Sequence, residues 1–158
     1  MRYIESPTPF DGQGVSLFLA GGISGCPDWQ AEVARHLEPT SLTVLNPLRK
    51  NFPINDPSAA EEQIRWEFHH LRLATVKLFW FPSETLCPIA LYELGTWSRG
   101  DHPLFVGIHP EYQRRLDIEI QTQLVRPDVQ IVYSLEALSS QVLEWCRENR
   151  CSGKVVET

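Results

Sequence analysis

Residues 76–81 read VKLFWF, apolar almost throughout, and this run constrains the fold more than any other stretch of the chain. It suits a central strand covered on both faces by helices, not one wetted on one side. The flanking segments agree. Residues 16–20 (SLFLA) form a short buried strand, followed by GGISG and a helix over about 27–37, with Pro27 suited to the first helical position. Residues 42–45 are a second strand ending at Asn46-Pro47. A loop rich in Pro and Asn follows to Pro57, and Ser58 can cap a long helix to Ala74. After VKLFWF come a helix over 86–97, a strand over 104–108, a helix over 111–124, a fifth strand over 129–133 and a closing helix over 135–149. Strands alternating with helices imply parallel βαβ units and right-handed crossovers. The expectation is therefore a doubly wound, mostly parallel five-stranded α/β sheet with helices on both faces. In such sheets ligands bind at the carboxyl ends of the strands, where strand order reverses.

At 158 residues the chain reads as a single domain, 1–158, with an irregular Pro- and Gly-rich lead-in over 1–14 and a loose tail over 151–158. The lead-in has room for a short edge strand at Arg2–Glu5. A formal charge of −6 argues against a nucleic acid polymer or an anionic membrane as partner. No apolar run reaches the roughly 18 residues of a membrane span, and MRYIESPTPFDGQG lacks the order of a secretion signal. The cysteines Cys26, Cys87, Cys146 and Cys151 show no zinc-type spacing, so the expectation is free thiols in a cytoplasmic protein, with no metal and no cofactor.

Two glutamates occupy positions where helices usually carry leucine. Ala60, Ile64, Glu67, Leu71 and Ala74 follow the 4-3-4-3 spacing of a core-facing edge. In the next helix Ile89, Glu93 and Trp97 run at i, i+4, i+8, with Leu86, Ala90 and Leu94 widening the same face. A carboxylate aimed at a core is costly to ionise, and such groups cluster where acid, base or nucleophile chemistry is done. Helix and strand rise per residue place Glu67 level with Trp80, near the top of the sheet. Glu67 and Glu93 then face each other across the end of one strand.

Other residues gather at that edge. In GGISG, Gly21 and Gly22 allow close approach of a ligand, and Ser24 adds a hydroxyl. The loop is neither a dinucleotide fingerprint nor a P-loop. Asn46 can bind a sugar hydroxyl, and Arg49 a phosphate or carboxylate. Trp80 offers a face for stacking a base. His69 and His70 read as a partly exposed pair, and Cys87, at a helix start where thiol pKa values fall, reads as packing.

These residues carry a resemblance to the nucleoside 2-deoxyribosyltransferase-like family, over roughly residues 16–124. FLAGGISG (18–25), VLNPLR (44–49), IRWE (64–67) and FWFPSETLCPIALYELG (79–95) are the matching parts. The resemblance implies a flavodoxin- or Rossmann-like fold and cleavage of an N-glycosidic bond. The glutamate of ELG, here Glu93, would be the nucleophile, and Glu67 would act on the leaving base. Phe18 stands where better-studied members carry a first-strand Tyr, leaving it as a base or sugar wall with Trp80. Ser83-Glu84-Thr85 stands where related nucleotide hydrolases hold a 5′-phosphate with small hydroxyl residues, which marks Thr85. The implied partners are a small nucleoside or nucleotide and a free nucleobase. Relatives of this kind are oligomers whose neighbouring subunits help complete the site, so a homodimer or higher homo-oligomer is expected. Water as acceptor (a nucleoside or nucleotide N-glycosidase) and a non-catalytic nucleotide-binding module are the alternatives.

Overall fold

A computed structural model of the chain describes residues 1–149 and Cys151. Five parallel strands, β1 (Arg2–Glu5), β2 (Ser16–Gly21), β3 (Thr43–Asn46), β4 (Val76–Phe81) and β5 (Leu104–Ile108), make one sheet in the order β1-β3-β2-β4-β5. The helices are α1 (Trp29–Leu37), α2 (Pro57–Leu73), α3 (Pro88–Trp97), α4 (Arg115–Val125) and α5 (Leu135–Glu148). From β2 the chain steps outward to β3, then crosses back to β4 on the other side, so strand order reverses between β2 and β4.

Every residue of β4 is buried, as VKLFWF demands. Strand alternation divides its side chains between two cores. Phe79 and Phe81 join Phe18 and Ala20 of β2 in a cluster with residues of α2, α3 and α4. Leu78 and Trp80 join Leu17 and Leu19 in the opposite cluster, with α1 and α5. The arrangement is the doubly wound α/β fold expected from the alternation of elements. Lys77 is the polar exception. Its ammonium donates to the Ala74 carbonyl at 2.9 Å and lies 4.6 Å from the Trp97 ring centroid, while burial pushes its pKa down to about 8.

The fifth strand is not the one expected. Residues 129–133 contribute only one bridge, Val132 to Gly107, with Val132 N–H donating to Val106 O and Ile108 N–H to Val132 O. Two residues later Ser134 caps α5 by accepting from Ala137 N–H at 3.1 Å, so the chain turns away before a ladder can extend. The fifth place goes to β1 at the other edge. Helix starts also differ by a few residues. Asp28, not Pro27, opens α1 by accepting from Ala31 N–H, and Asp56 opens α2 by accepting from Ser58, with Pro57 at the first turn. α3 begins at Pro88, after Cys87 in a left-handed conformation (φ 48°), and α4 begins at Arg115 after a turn.

The α2 stripe is rotated from its expected position. Ala59, Trp66, His70 and Leu71 are buried, whereas Ala60 and Ile64 are exposed. The larger indole decides the rotation, because Trp66 packs 6.2 Å from Phe18 and donates its Nε1–H to Thr8 O at 2.8 Å. His70 is buried, not partly exposed, and stacks on Trp66 at 3.9 Å. Its Nε2 accepts from Phe10 N–H at 3.0 Å and its Nδ1 donates to Trp66 O at 2.7 Å. Both bonds fit only the neutral ring protonated on Nδ1, and burial lowers its pKa accordingly. The lead-in is thus docked on α2. At the other end Cys151 is buried, its carbonyl accepting from Ser41 N–H and Oγ–H. The rest of the expected tail, 152–158, lies outside the described residues. No helix among the described residues is long and apolar enough to cross a membrane.

Candidate active site

A cavity of about 580 Å³ opens where strand order reverses, at the carboxyl ends of β2, β3 and β4. The end of β2 and the loop after it supply Gly21, Gly22 and Ser24, and the exit of β3 supplies Pro47 and Arg49. Glu67 enters from α2, Glu93 from α3, and Thr85 and Cys87 from the connection between β4 and α3. Phe18, fully buried on β2, lines it from the sheet.

Neither glutamate sits in the middle of a packed stripe. The rotation of α2 leaves Glu67 at the edge of its buried arc, and on α3 the packing centre is Ala90 and Leu94, with Leu86 and Ile89 exposed. Each carboxyl is therefore mostly dry yet open to the cavity. Burial raises the Glu67 pKa, and a hydrogen bond from the Gln63 amide holds it partly down. Glu93 is pushed up to about 7, first by burial and then by the charge of Glu67. The charge of Glu67 adds to the cost of ionising Glu93, so the two carboxyls resist being charged together near neutral pH.

Arg49 is the only Lys or Arg lining the cavity among the described residues. Its guanidinium is already paired with Glu62 at 2.8 Å and lies 5.9 Å from the Phe52 ring centroid. Cys87 lines the cavity, but its thiol is pushed up to about 11 by burial and by neighbouring Cys26, opposite to the fall expected at a helix start. Burial outweighs any helix-terminus effect there.

Two sequence-derived positions are not in the cavity. Trp80 has the expected height but the opposite face: it packs with Gly107 and Leu138 beneath α5, because alternate residues of β4 point away from α2 and α3. The Asn46 amide is spent within the fold. Its Oδ1 accepts from Leu48 N–H at 2.9 Å and its Nδ2 donates to the Tyr3 hydroxyl at 2.6 Å, and the side chain is buried away from the cavity. Sequence reasoning missed Gln63, whose i, i+4 relation to Glu67 was legible. It also missed the cover from Phe52, Ile54 and Pro88, which carry no chemical signature.

Among the described residues no group of three or more His, Cys, Asp or Glu side chains is placed to hold a metal ion. No curated protein matches the chain. The family model described as "Nucleoside 2-deoxyribosyltransferase like" matches residues 14–112, a span that begins just before β2 and includes both glutamates. That span takes in the β2 loop, the exit of β3, α2, β4 and α3, every element that lines the cavity. The chain belongs to the nucleoside 2-deoxyribosyltransferase-like family.

Proposed function

We propose that this protein cleaves the N-glycosidic bond of a 2′-deoxyribonucleoside and transfers the sugar to another base. The supporting observation is the placement of Glu67 and Glu93, electrostatically coupled, in one cavity at the reversal of strand order. Glu93 attacks C1′ and forms a glutamyl ester as the C1′–N bond breaks. The bonding pair goes to the departing base, which takes its proton from Glu67. An incoming base gives a proton to Glu67, attacks C1′ and releases Glu93, with net retention. Phe18 walls the site, and the amides of residues 21–24 surround the sugar. A neutral nucleoside fits better than a nucleotide, because the lining cation Arg49 is already engaged by Glu62.

One proton on the pair is what the first step needs, and this gives the reaction a bell-shaped dependence on pH. Below the first ionisation Glu93 cannot attack. Above about 7 the pair loses its last proton and the leaving base finds no acid. The assay is chromatography of the purified protein with deoxynucleosides, each with and without a different free base. A new nucleoside formed only with added base supports transfer; base released without acceptor makes water the acceptor. A Glu67→Gln variant should lose roughly 10²–10⁴-fold in rate on substrates with ordinary leaving bases, together with the basic limb. Substrate binding without base release, unaffected by Glu93→Gln, would leave a binding module in place of an enzyme.

The same reading includes a second copy of the chain. Ile64 and Phe68 of α2 and Ile89 and Tyr92 of α3 are 65%, 64%, 64% and 76% exposed, and Ile89 also lines the cavity mouth. The α3 segment is apolar on nearly every side, a pattern normally covered. Sedimentation should find a dimer or larger, and Phe68→Lys with Tyr92→Lys should shift it toward monomer and lower activity. A monomeric wild-type protein at full activity would refute this part.

A further inference from the structure

The geometry points to Gln63 as a positioning residue that fixes which oxygen of Glu67 carries its proton. Its catalytic meaning rests on the glycosyl-transfer reading above; its geometry does not. The Gln63 amide is committed on every side. Its Oε1 accepts from Ser6 Oγ–H at 2.6 Å, and its Nε2 donates to Pro47 O and to Glu67 Oε1, each at 2.7 Å. The Pro47 carbonyl can only accept, so the amide nitrogen must face it. Turning the amide over would set oxygen against oxygen at Pro47. Both amide hydrogens are then spent, one on Pro47 and one on Glu67.

The clamp is itself held. Ser6 is buried, and its N–H donates to Asn46 O at 3.1 Å, which ties it to the end of β3. The lead-in, the exit of β3 and the first half of α2 therefore converge on one amide, which hands one N–H to Oε1. That oxygen is an acceptor in either ionisation state of Glu67. When Glu67 is protonated the hydroxyl forms on Oε2, so Oε2 is the atom that gives the proton to the departing base and takes one from the incoming base.

The other ionisable groups lining the cavity are Glu93 from α3, Cys87 from the β4–α3 connection and Arg49 from the β3–α2 loop. The Cys87 thiol is neutral, and the Arg49 charge is directed to Glu62. Glu93 opposes a second negative charge beside it, whereas the Gln63 N–H favours the ionised form of Glu67. Gln63 thus holds Glu67 toward its ionised form, and its service to turnover is orientation: it leaves Oε2 as the oxygen that carries the proton when Glu67 takes one.

The test uses the full chain with Gln63→Met, which keeps the shape of the side chain and removes all three hydrogen bonds. Carbon-detected NMR titration of 13C-labelled glutamate carboxyls reads Glu67 directly. Its midpoint should rise by about one pH unit in the variant. Turnover should fall roughly 10–100-fold with KM little changed, and the basic limb of the pH profile should move up with the midpoint. Ser6→Ala should move each quantity the same way by less, and serves if Gln63→Met does not fold. An unchanged Glu67 midpoint in both variants overturns the clamp. A shifted midpoint with unchanged turnover and pH profile overturns the positioning role. If the wild-type protein turns over no nucleoside, the glycosyl-transfer reading fails, while the titration still decides the clamp.

Discussion

At pH 8 the Glu93→Gln variant is expected to melt several degrees above the wild-type protein while retaining no turnover. The Glu93 carboxyl has its pKa raised from 4.5 to about 7 by burial and by the charge of Glu67. A raised carboxyl releases its proton more readily in the unfolded chain than in the folded one. Its contribution to stability is fully present below pH 4.5 and is lost as pH rises through about 7. At ~1.4 kcal/mol per pKa unit the full loss is about 3 kcal/mol. For a chain of this size ~1 kcal/mol moves the melting temperature by roughly 2–4 °C. Glutamine keeps the shape and carries no charge, so the variant escapes that loss at pH 8 and matches the wild type near pH 4. Thermal melts at the two pH values are the measurement. Equal melting of both proteins at pH 8 would show that Glu93 is not held in a dry, negatively charged setting, and the case for its unusual chemistry would go with it. A destabilising group retained in this way fits a site maintained for what it does, not for what it holds together.

Gly21→Ala is expected to be among the most damaging single substitutions in the chain. Gly21 ends β2 opposite Trp80 of β4, with φ at 154°. A Cβ built there collides with the Trp80 carbonyl oxygen and comes within 2.8 Å of Trp29 Cζ2. The carbonyl is backbone in the central ladder and cannot rotate away as a side chain would. Overpacking combined with a disfavoured backbone conformation should cost about 3 kcal/mol or more, enough to lower the melting temperature by roughly 6–12 °C or to prevent folding. Gly25 is the control. It also has positive φ, 74°, but a Cβ there meets nothing within 4 Å. Its alanine variant should cost only the backbone term, about 1–2 kcal/mol. If the two variants melt alike, close approach at Gly21 is not what requires glycine.

The architecture was legible because it depends on order and composition along the chain. An apolar run of six residues, bounded by helical segments, leaves little choice but a central parallel strand, and β4 is that strand. The two glutamates were legible for a related reason: periodicity exposes a charged residue where an apolar one belongs. Periodicity reports angle coarsely, however. It set Ile64 on the buried face of α2, and the indole of Trp66, two positions on, claimed that face instead. Height along the sheet was likewise only one coordinate of Trp80. Right-handed crossovers put α2 and α3 on the same side, and parity along β4 then sends Trp80 to the other. That step was available from the sequence. The capture of Asn46 by Tyr3 was not, since 43 residues separate the two and neither carries a local sign of the other. The reduction of 129–133 to one bridge depends similarly on where α5 must start.

The docked lead-in ties the first residues of the chain to the candidate site. Ser6 is the far end of the hydrogen-bonded chain that reaches Glu67, and Thr8 and Phe10 hold the same helix through Trp66 and His70. Just beyond them Gly12 and Gly14 are exposed, both with positive φ and open space around them. A single protease cut at Gln13 would therefore leave every one of those contacts intact and convert the preceding residues into a peptide held without a covalent link. On the glycosyl-transfer reading, activity would then become a binding isotherm: lost on dilution, restored by adding the peptide back, and restored only in part by a peptide carrying Ala in place of Ser6.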